Sequence, residues 1–220
     1  MKERYLTNAR IIDPKNDIDE IGGIIIDSKG LIKAVGKKVA NGNLPSSVDK
    51  TDLNKKVLIP GLVDMRVFVG EPGYEYKENF RTLSNAALSG GVTSVVSMPN
   101  TSPTIDNVSM VDFLKRRGRD KSKINIFPAA TLTKNAEGKQ MTEFGLLKRK
   151  GIIAFTDGVK TVQDPQVMAR IMNFASQSES LIMQHAEDNI LSKDGLINEG
   201  EISTRLGLKG IPSLAEKIIV

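Results

Sequence analysis

The sequence predicts a parallel α/β fold preceded by a small β segment. From about residue 57 onward, short apolar runs rich in Val, Ile or Phe recur at roughly 30-residue intervals, the size of a β-strand plus its crossover helix. Few charges interrupt these runs, which is typical of strands buried on both faces of a parallel sheet. Polar stretches with apolar residues at helical spacing separate them. The predicted strands are Leu58–Val63, Val92–Met98, Ile124–Ala130, Ile152–Phe155 and Leu181–Met183.

The intervening helices are predicted from spacing and from end signals. Apolar residues recur at i, i+3, i+6 and i+7 in Phe80–Ala87 and similarly in Val167–Ala175. Gly90 and Gly91 end the first of these helices, and Asp164 is a good N-cap for the second because a proline follows it. An eight-stranded barrel needs three more strand–helix units than the five present, whereas an open doubly wound sheet needs none. Composition does not separate these two architectures. Two further predicted helices are Met141–Lys150 and Ser213–Val220.

The first part of the chain has a different pattern. Residues 1–55 contain short β candidates, and turn signals at Asp13-Pro14, Asp27–Gly30 and Asn41–Asn43 separate them. The sequence therefore predicts a small β domain in residues 1–55 and an α/β domain in residues 56–220.

Composition excludes several classes of protein. There is no cysteine among the 220 residues, so disulfides and thiolate chemistry are excluded. No apolar run reaches the roughly 18 residues of a membrane span, and no apolar signal block follows Met1, so we expect a cytoplasmic protein. A net charge of +5 favours an acidic partner, but 5% aromatic residues and no tryptophan argue against nucleic-acid binding. The basic run Lys115–Lys123 is typical of a solvated helix end.

One segment at the end of the first predicted strand carries a recognisable motif. Pro60–Glu78 resembles the first-strand signature of dihydroorotases and related cyclic amidohydrolases, which is Pro-Gly-Leu-Val-Asp-Met-His-Val-His-Leu-Arg-Glu-Pro-Gly. Five shorter matches follow in family order and at family spacing, so the resemblance extends across essentially the whole chain. They are Gly90–Thr93, Met98–Thr101, Ala154–Asp157, His185–Asp188 and Ile197–Glu201.

This resemblance implies both a fold and an activity. The implied fold is an amidohydrolase (β/α)8 TIM-like barrel, of which this chain would supply about five of eight units after a small β-sandwich segment. The implied activity is the zinc-dependent, reversible closure of carbamoyl aspartate to dihydroorotate in pyrimidine biosynthesis. In such enzymes a His-x-His pair on the first strand binds the metal, since alternate strand positions face the barrel interior together.

The sequence departs from the family at these functional positions. Arg66 and Phe68 replace the two histidines, and Gly70 replaces the arginine that binds the substrate carboxylate. A guanidinium has no lone pair for a cation, and a phenyl ring has no ligand atom. The flanking Asp64 and Glu71 remain, as do Pro72 and Gly73. We therefore expect loss of catalysis with retention of the fold, and no cofactor unless the family activity survives with zinc.

The other family positions are partly retained. Gly158 falls on the ligand aspartate of the fourth strand, although a shift of one residue would make Asp157 the ligand; otherwise Asp157 caps a turn into the next segment. His185, the only histidine, matches a zinc ligand of the fifth strand, but one imidazole does not hold zinc. Asn100 matches a substrate-binding asparagine and is equally suited to a turn. The acidic cluster Glu187, Asp188, Glu199 and Glu201 is expected to form helix caps or a surface loop.

Three functions are compatible with these residues. The leading hypothesis is a silent dihydroorotase-like scaffold within a homo- or hetero-oligomer, because some family members assemble with aspartate carbamoyltransferase. The second is an active hydrolase with a reduced site of His185, Asp157 and ligands beyond residue 220. The third is an anion site at Arg66, although an ion pair of Arg66 with Glu71 or Asp64 is favoured over it. Family members are about twice as long as this chain, so we expect a fragment whose missing part carries the remaining strands, another histidine ligand and the catalytic aspartate.

Overall fold

A computed structural model describes residues 2–40 and 49–220. The chain forms two compact units, Met1–Gly61 and Leu62–Val220. The boundary lies at Gly61 instead of residue 55 because a short strand at Val57–Leu58 pairs with the first strand of the chain. The turn predicted at Asn41–Asn43 lies outside the described residues.

The first unit is built on one mixed β-sheet. Its strand order is β3-β2-β1-β4, and β5 also pairs with β1. The β1–β2 and β2–β3 pairs are antiparallel, whereas β4 and β5 run parallel to β1. Tyr5, Ala9, Ile11 and Ile24 are buried on this sheet. The elements are β1 (Arg4–Asp13), a 3-10 turn (Pro14–Asn16), β2 (Ile18–Ile26), β3 (Ile32–Gly36), α1 (Lys37–Ala40), β4 (Asp49–Asp52) and β5 (Val57–Leu58).

The second unit alternates parallel strands with helices. Strands β6, β7 and β8 are adjacent and parallel, as are β9 and β10, and a parallel bridge between Ala130 and Phe155 continues from β8 towards β9. Neighbours therefore follow chain order without the reversal that defines a doubly wound sheet, which favours the barrel. The elements are β6 (Leu62–Val67), α2 (Phe80–Ser89), β7 (Val92–Ser97), α3 (Val108–Lys121), β8 (Asn125–Pro128), a 3-10 turn (Lys134–Ala136), α4 (Phe144–Arg149), β9 (Ala154–Phe155), α5 (Pro165–Gln177) and β10 (Leu181–Ile182).

The predicted strand Leu58–Val63 is wrong in its bounds. The structure divides this stretch between β5 of the first unit and β6 of the second, and β6 continues to Val67. Pro60 lies between them, and proline has no N–H to donate to a β ladder. Arg66 is consequently the second-last residue of β6, and Phe68 directly follows its carboxyl end.

Local sequence determines the helix ends. The Asn79 side chain accepts hydrogen bonds from the N–H groups of Arg81 and Thr82, and α2 ends at Gly90 as predicted. The Asp164 side chain caps α5 in the same way, by accepting hydrogen bonds from the backbone N–H groups of Gln166 and Val167. The predicted helices Met141–Lys150 and Ser213–Val220 are shorter in the structure, at α4 and at α7 (Leu214–Lys217).

A small substructure follows β10. A parallel pair of short strands flanks one helical segment, and α7 follows the second strand. No helix in the described parts of the chain is both long and apolar enough to span a membrane. The elements are β11 (Ile197–Asn198), α6 (Glu201–Leu206) and β12 (Gly210–Ile211).

The two faces of the parallel strands bury different side chains. The larger core, between strands and helices, includes Val95, Leu114 and Phe144, with Val67 packed against it. The smaller cluster contains Val96, Met98, Ala129 and Ala154, with Met183 packed against it. Because side chains alternate along a strand, Arg66, which precedes Val67 of the larger core, lies on the opposite face of β6 from that core.

Candidate functional site

The carboxyl ends of β6, β7, β9 and β10 surround a cavity of about 240 Å³. Three positions singled out in the sequence, Arg66, Gly158 and His185, are brought together here. This is the end of a parallel barrel at which sites form. The lining residues are Arg66, Met98, Thr156, Gly158, Met183, Gln184 and His185.

Arg66 lies beside an aromatic ring and has no carboxylate partner among the described residues. Its guanidinium carbon is 5.2 Å from the centroid of the Phe68 ring, within the range of a cation–π contact. Asp64 accepts a hydrogen bond of 3.0 Å from the backbone N–H of Arg66, not from the guanidinium. The ion pair predicted between Arg66 and Glu71 or Asp64 is therefore wrong, because Glu71 pairs with Arg117 and Asp64 binds only the backbone of Arg66.

The buried Glu71 carboxylate forms an ion pair with the partly exposed Arg117 of α3. One carboxylate oxygen, Oε1, is 2.5 Å from Nη2 of Arg117 and accepts a hydrogen bond of 2.6 Å from its Nε. The other oxygen accepts from the N–H of Phe80 at 3.1 Å. The Glu71 side chain is 2% exposed. The pair fastens the loop after β6 to the start of α2 and to α3.

Gly70 occupies a position without space for a side chain. A Cβ atom there would overlap the backbone carbonyl of Tyr74 and lie 2.9 Å from the backbone oxygen of Glu78. The N–H of Tyr74 donates to the carbonyl of Gly70 at 2.6 Å, which holds this loop closed. The family arginine therefore does not fit at Gly70 with the loop in this conformation.

The Asp157 carboxylate is directed at the loop that follows β8. Its Oδ1 accepts from the N–H groups of Leu132 and Thr133 at 2.8 and 3.1 Å, and its Oδ2 accepts from the Thr133 hydroxyl at 2.6 Å. Burial raises the pKa of the Asp157 carboxyl, although these hydrogen bonds oppose the shift. The sequence predicts that the Asp157 side chain caps a turn into the next segment. That prediction is wrong, because the carboxylate instead accepts hydrogen bonds from Leu132 and Thr133, which precede it in the chain.

Gly158 and Asn100 fit against each other. Gly158 has φ +71°, a left-handed conformation that favours glycine, and a Cβ atom there would overlap the Asn100 side-chain amide. Asn100 Nδ2 donates to the carbonyl oxygen of Asp157 at 3.1 Å. Within the described residues, Asn100 Oδ1 is buried without a hydrogen-bond partner. The amide of Asn100 thus fills the space beside position 158.

His185 pairs with an acidic residue that the sequence assigned to a surface cluster. Its Nε2 lies 3.0 Å from Glu187 Oε2, and both side chains are partly exposed. A side-chain hydrogen bond from Ser192 is the largest cause that lowers the pKa of Glu187, and the hydrogen bond with His185 is the second. Spacing of two residues at a strand end could have indicated this pair. Asp188, from the same cluster, caps a turn by accepting from the N–H of Leu191 at 2.8 Å.

These residues do not fit a zinc ion. A catalytic zinc needs about three protein ligands. Among the described residues that line this cavity, His185 supplies an imidazole and none supplies a carboxylate. The neighbouring Asp157 oxygens accept hydrogen bonds, and Arg66 and Phe68 offer no lone pair. Across residues 2–40 and 49–220, no three or more His, Cys, Asp or Glu side chains lie close enough together to hold a metal ion.

Comparison with known proteins identifies the family. Residues 55–220 match the family model described as dihydro-orotase-like. The chain belongs to the dihydro-orotase-like family. A dihydroorotase of Syntrophus aciditrophicus is 42% identical over 215 residues, which are 98% of this chain and 50% of that protein. A dihydroorotase of Wolbachia sp. subsp. Brugia malayi is 42% identical over 97% of this chain and 48% of that protein. The resemblance drawn from the motifs is confirmed.

Solved structures confirm the barrel class of this dihydro-orotase-like chain. L-hydantoinase (dihydropyrimidinase) from Arthrobacter aurescens matches with a TM-score of 0.72 at 19% identity, over 87% of this chain and 42% of that one. D-hydantoinase (dihydropyrimidinase) from Thermus sp. matches with a TM-score of 0.60 over 86% of this chain and 41% of that one. At this identity the likeness shows the fold alone. The chain spans about half the length of the curated relatives it matches.

Proposed function

We propose that this protein is a non-catalytic dihydroorotase-like component of pyrimidine biosynthesis that acts in the cytoplasm as an assembly partner of aspartate carbamoyltransferase. Relatives named dihydroorotase, about 40% identical over nearly the whole chain, support the pathway. The observation that carries the loss of catalysis is the pair Arg66 and Phe68 at the two positions where the family has metal-binding histidines.

The surroundings of this pair support the same proposal. A permanently protonated guanidinium at Arg66 repels a divalent cation and contributes no ligand to it. Gly158 and Gly70 lie where neighbouring groups leave no space for the family's aspartate and arginine. The scaffold meanwhile keeps its structural supports, including the buried pair of Glu71 with Arg117. Such a chain retains a shape that a partner recognises while losing the groups that perform the reaction.

Metal content, turnover and association with the transferase test the proposal on the purified full-length protein. We expect no stoichiometric zinc, no interconversion of carbamoyl aspartate and dihydroorotate above background, and co-purification with the aspartate carbamoyltransferase of the same organism. A relative that retains both histidines serves as the positive control for metal and turnover. A protein that never associates with the transferase contradicts the scaffold role.

A second candidate is a zinc-dependent cyclic amidohydrolase with a reduced site. The name dihydroorotase on relatives at 42% identity favours it, and His185 and Asp157 would be the retained ligands. About one tightly bound zinc per chain together with dihydroorotate turnover would establish this candidate in place of the first. A His185→Gln variant should then lose both zinc and turnover, whereas it leaves transferase association unchanged if the scaffold role is correct.

A further inference from the structure

We propose that the cavity at the carboxyl ends of β6, β7, β9 and β10 binds a small oxyanion, a carboxylate or phosphate group, with the Arg66 guanidinium as its main ligand. This inference is independent of the proposed scaffold role, since it concerns only the cavity and the groups that line it. The cavity volume of about 240 Å³ suits a small anion and is below the range typical of larger organic ligands.

The charge at Arg66 is available to a ligand. Of the two carboxylates closest to it in sequence, Glu71 pairs with Arg117, and Asp64 binds the backbone N–H of Arg66 and not its guanidinium. No salt bridge neutralises the Arg66 guanidinium within the described residues. Its contact with the Phe68 ring, 5.2 Å from the guanidinium carbon to the ring centroid, does not consume its N–H donors in a hydrogen bond. A guanidinium of this kind binds carboxylate and phosphate oxygens with two parallel hydrogen bonds.

The remaining lining adds donors and contains no carboxylate. Thr156 Oγ1 accepts from the N–H of Gly158 at 3.0 Å, which leaves its hydroxyl hydrogen to donate. Gln184 also lines the cavity, and its amide NH₂ group is a donor of the kind that an oxyanion accepts from. Glu187, the acidic residue next to the cavity, lies with its Oε2 3.0 Å from Nε2 of His185 and is not part of the lining.

Calorimetric titration of the purified protein tests the site, with inorganic phosphate and propionate as separate probes at constant ionic strength. We expect saturable binding of at least one probe, and the probe that binds distinguishes a phosphate site from a carboxylate site. Arg66→Gln should weaken binding by about tenfold or more, because a charge-assisted hydrogen-bonded pair is lost. Arg66→Lys, which keeps the charge without the planar fork, should weaken it less.

The matched control is Arg170→Gln, which removes the same charge from an exposed position on α5. It should leave binding unchanged. NMR shifts of the Thr156 and Gly158 amides on titration of the unmodified protein locate the anion even if the Arg66→Gln variant does not fold. The proposal is overturned if neither probe saturates, or if Arg66→Gln and the control Arg170→Gln lose binding equally. It is also overturned if the shifted amides lie away from the cavity.

Discussion

The Asn100 side-chain amide occupies the space that a Cβ atom at position 158 would need. The two residues are 58 positions apart on the carboxyl ends of β7 and β9, and Asn100 also donates to the carbonyl of Asp157 at 3.1 Å. The family resemblance aligns the fourth-strand ligand aspartate with position 158, or with Asp157 after a shift of one residue. Restoring that aspartate at position 158 consequently requires a change at position 100 as well.

Gly158→Asp is expected to destabilise the fold by about 2–5 kcal/mol, combining left-handed strain with overpacking against Asn100. Gly138 provides a matched control, since its φ is +72° and the nearest atom to its Cβ position is 3.9 Å away. Gly138→Asp should cost about 1–2 kcal/mol from strain alone. Urea unfolding measures both. The Asn100→Gly/Gly158→Asp double variant should recover part of the loss, and equal costs for the two single aspartate variants would contradict the overlap.

Arg117→Met is expected to destabilise the protein by about 2–4 kcal/mol, because it leaves the Glu71 carboxylate buried without its partner. Arg119→Met is the control on the same helix, since Arg119 is 74% exposed and pairs with the exposed Asp120; it should change stability by about 0–1 kcal/mol. Thermal and urea unfolding provide the comparison. Glu71→Gln added to Arg117→Met should restore stability relative to Arg117→Met alone, and a purely additive double variant would rule out coupling between the two residues.

Asp157 should make stability depend on pH. Its folded pKa is raised above the unfolded value by burial, so the protonated carboxyl favours folding. This contribution is complete below the unfolded pKa and is lost as pH rises through the folded pKa. Asp157→Asn keeps an acceptor for the Leu132 and Thr133 N–H groups and removes the titration. We expect the free energy of unfolding of Asp157→Asn relative to the unmodified protein to increase between about pH 4 and pH 7 in urea titrations. A constant difference over that range would show that Asp157 does not carry the effect.

Glu187 should titrate differently once its hydrogen-bond partners are removed. Ser192→Ala is expected to raise the pKa of Glu187 towards its ordinary value, and His185→Gln should raise it by a smaller amount, because the Ser192 hydrogen bond is the larger cause of its lowered pKa. Carboxyl-carbon NMR titration measures both. An unchanged Glu187 pKa in Ser192→Ala would mean that this contact does not hold the carboxylate.

Much of the fold could be predicted from periodicity, whereas most site contacts could not. Alternation of apolar runs and helical spacing identified β7, α2 and α5, because burial and capping act over a few residues. The start of β6 was missed because Val57–Leu58 has the same apolar character but pairs within the first unit. The contacts of Glu71 with Arg117 and of Asn100 with Asp157 join residues 46 and 57 positions apart, and spacing along the chain carries no signal for them.

The closed loop at Gly70 has a practical consequence for protein engineering. The Tyr74 backbone carbonyl stands where any side chain at position 70 would begin, and its N–H ties the loop shut. Under the proposed loss of catalysis, point mutagenesis that introduces histidines at positions 66 and 68 would thus leave position 70 without the arginine that the family resemblance implies there. Introducing that arginine calls for transplanting the entire stretch between β6 and α2 from a dihydroorotase relative, as one cassette.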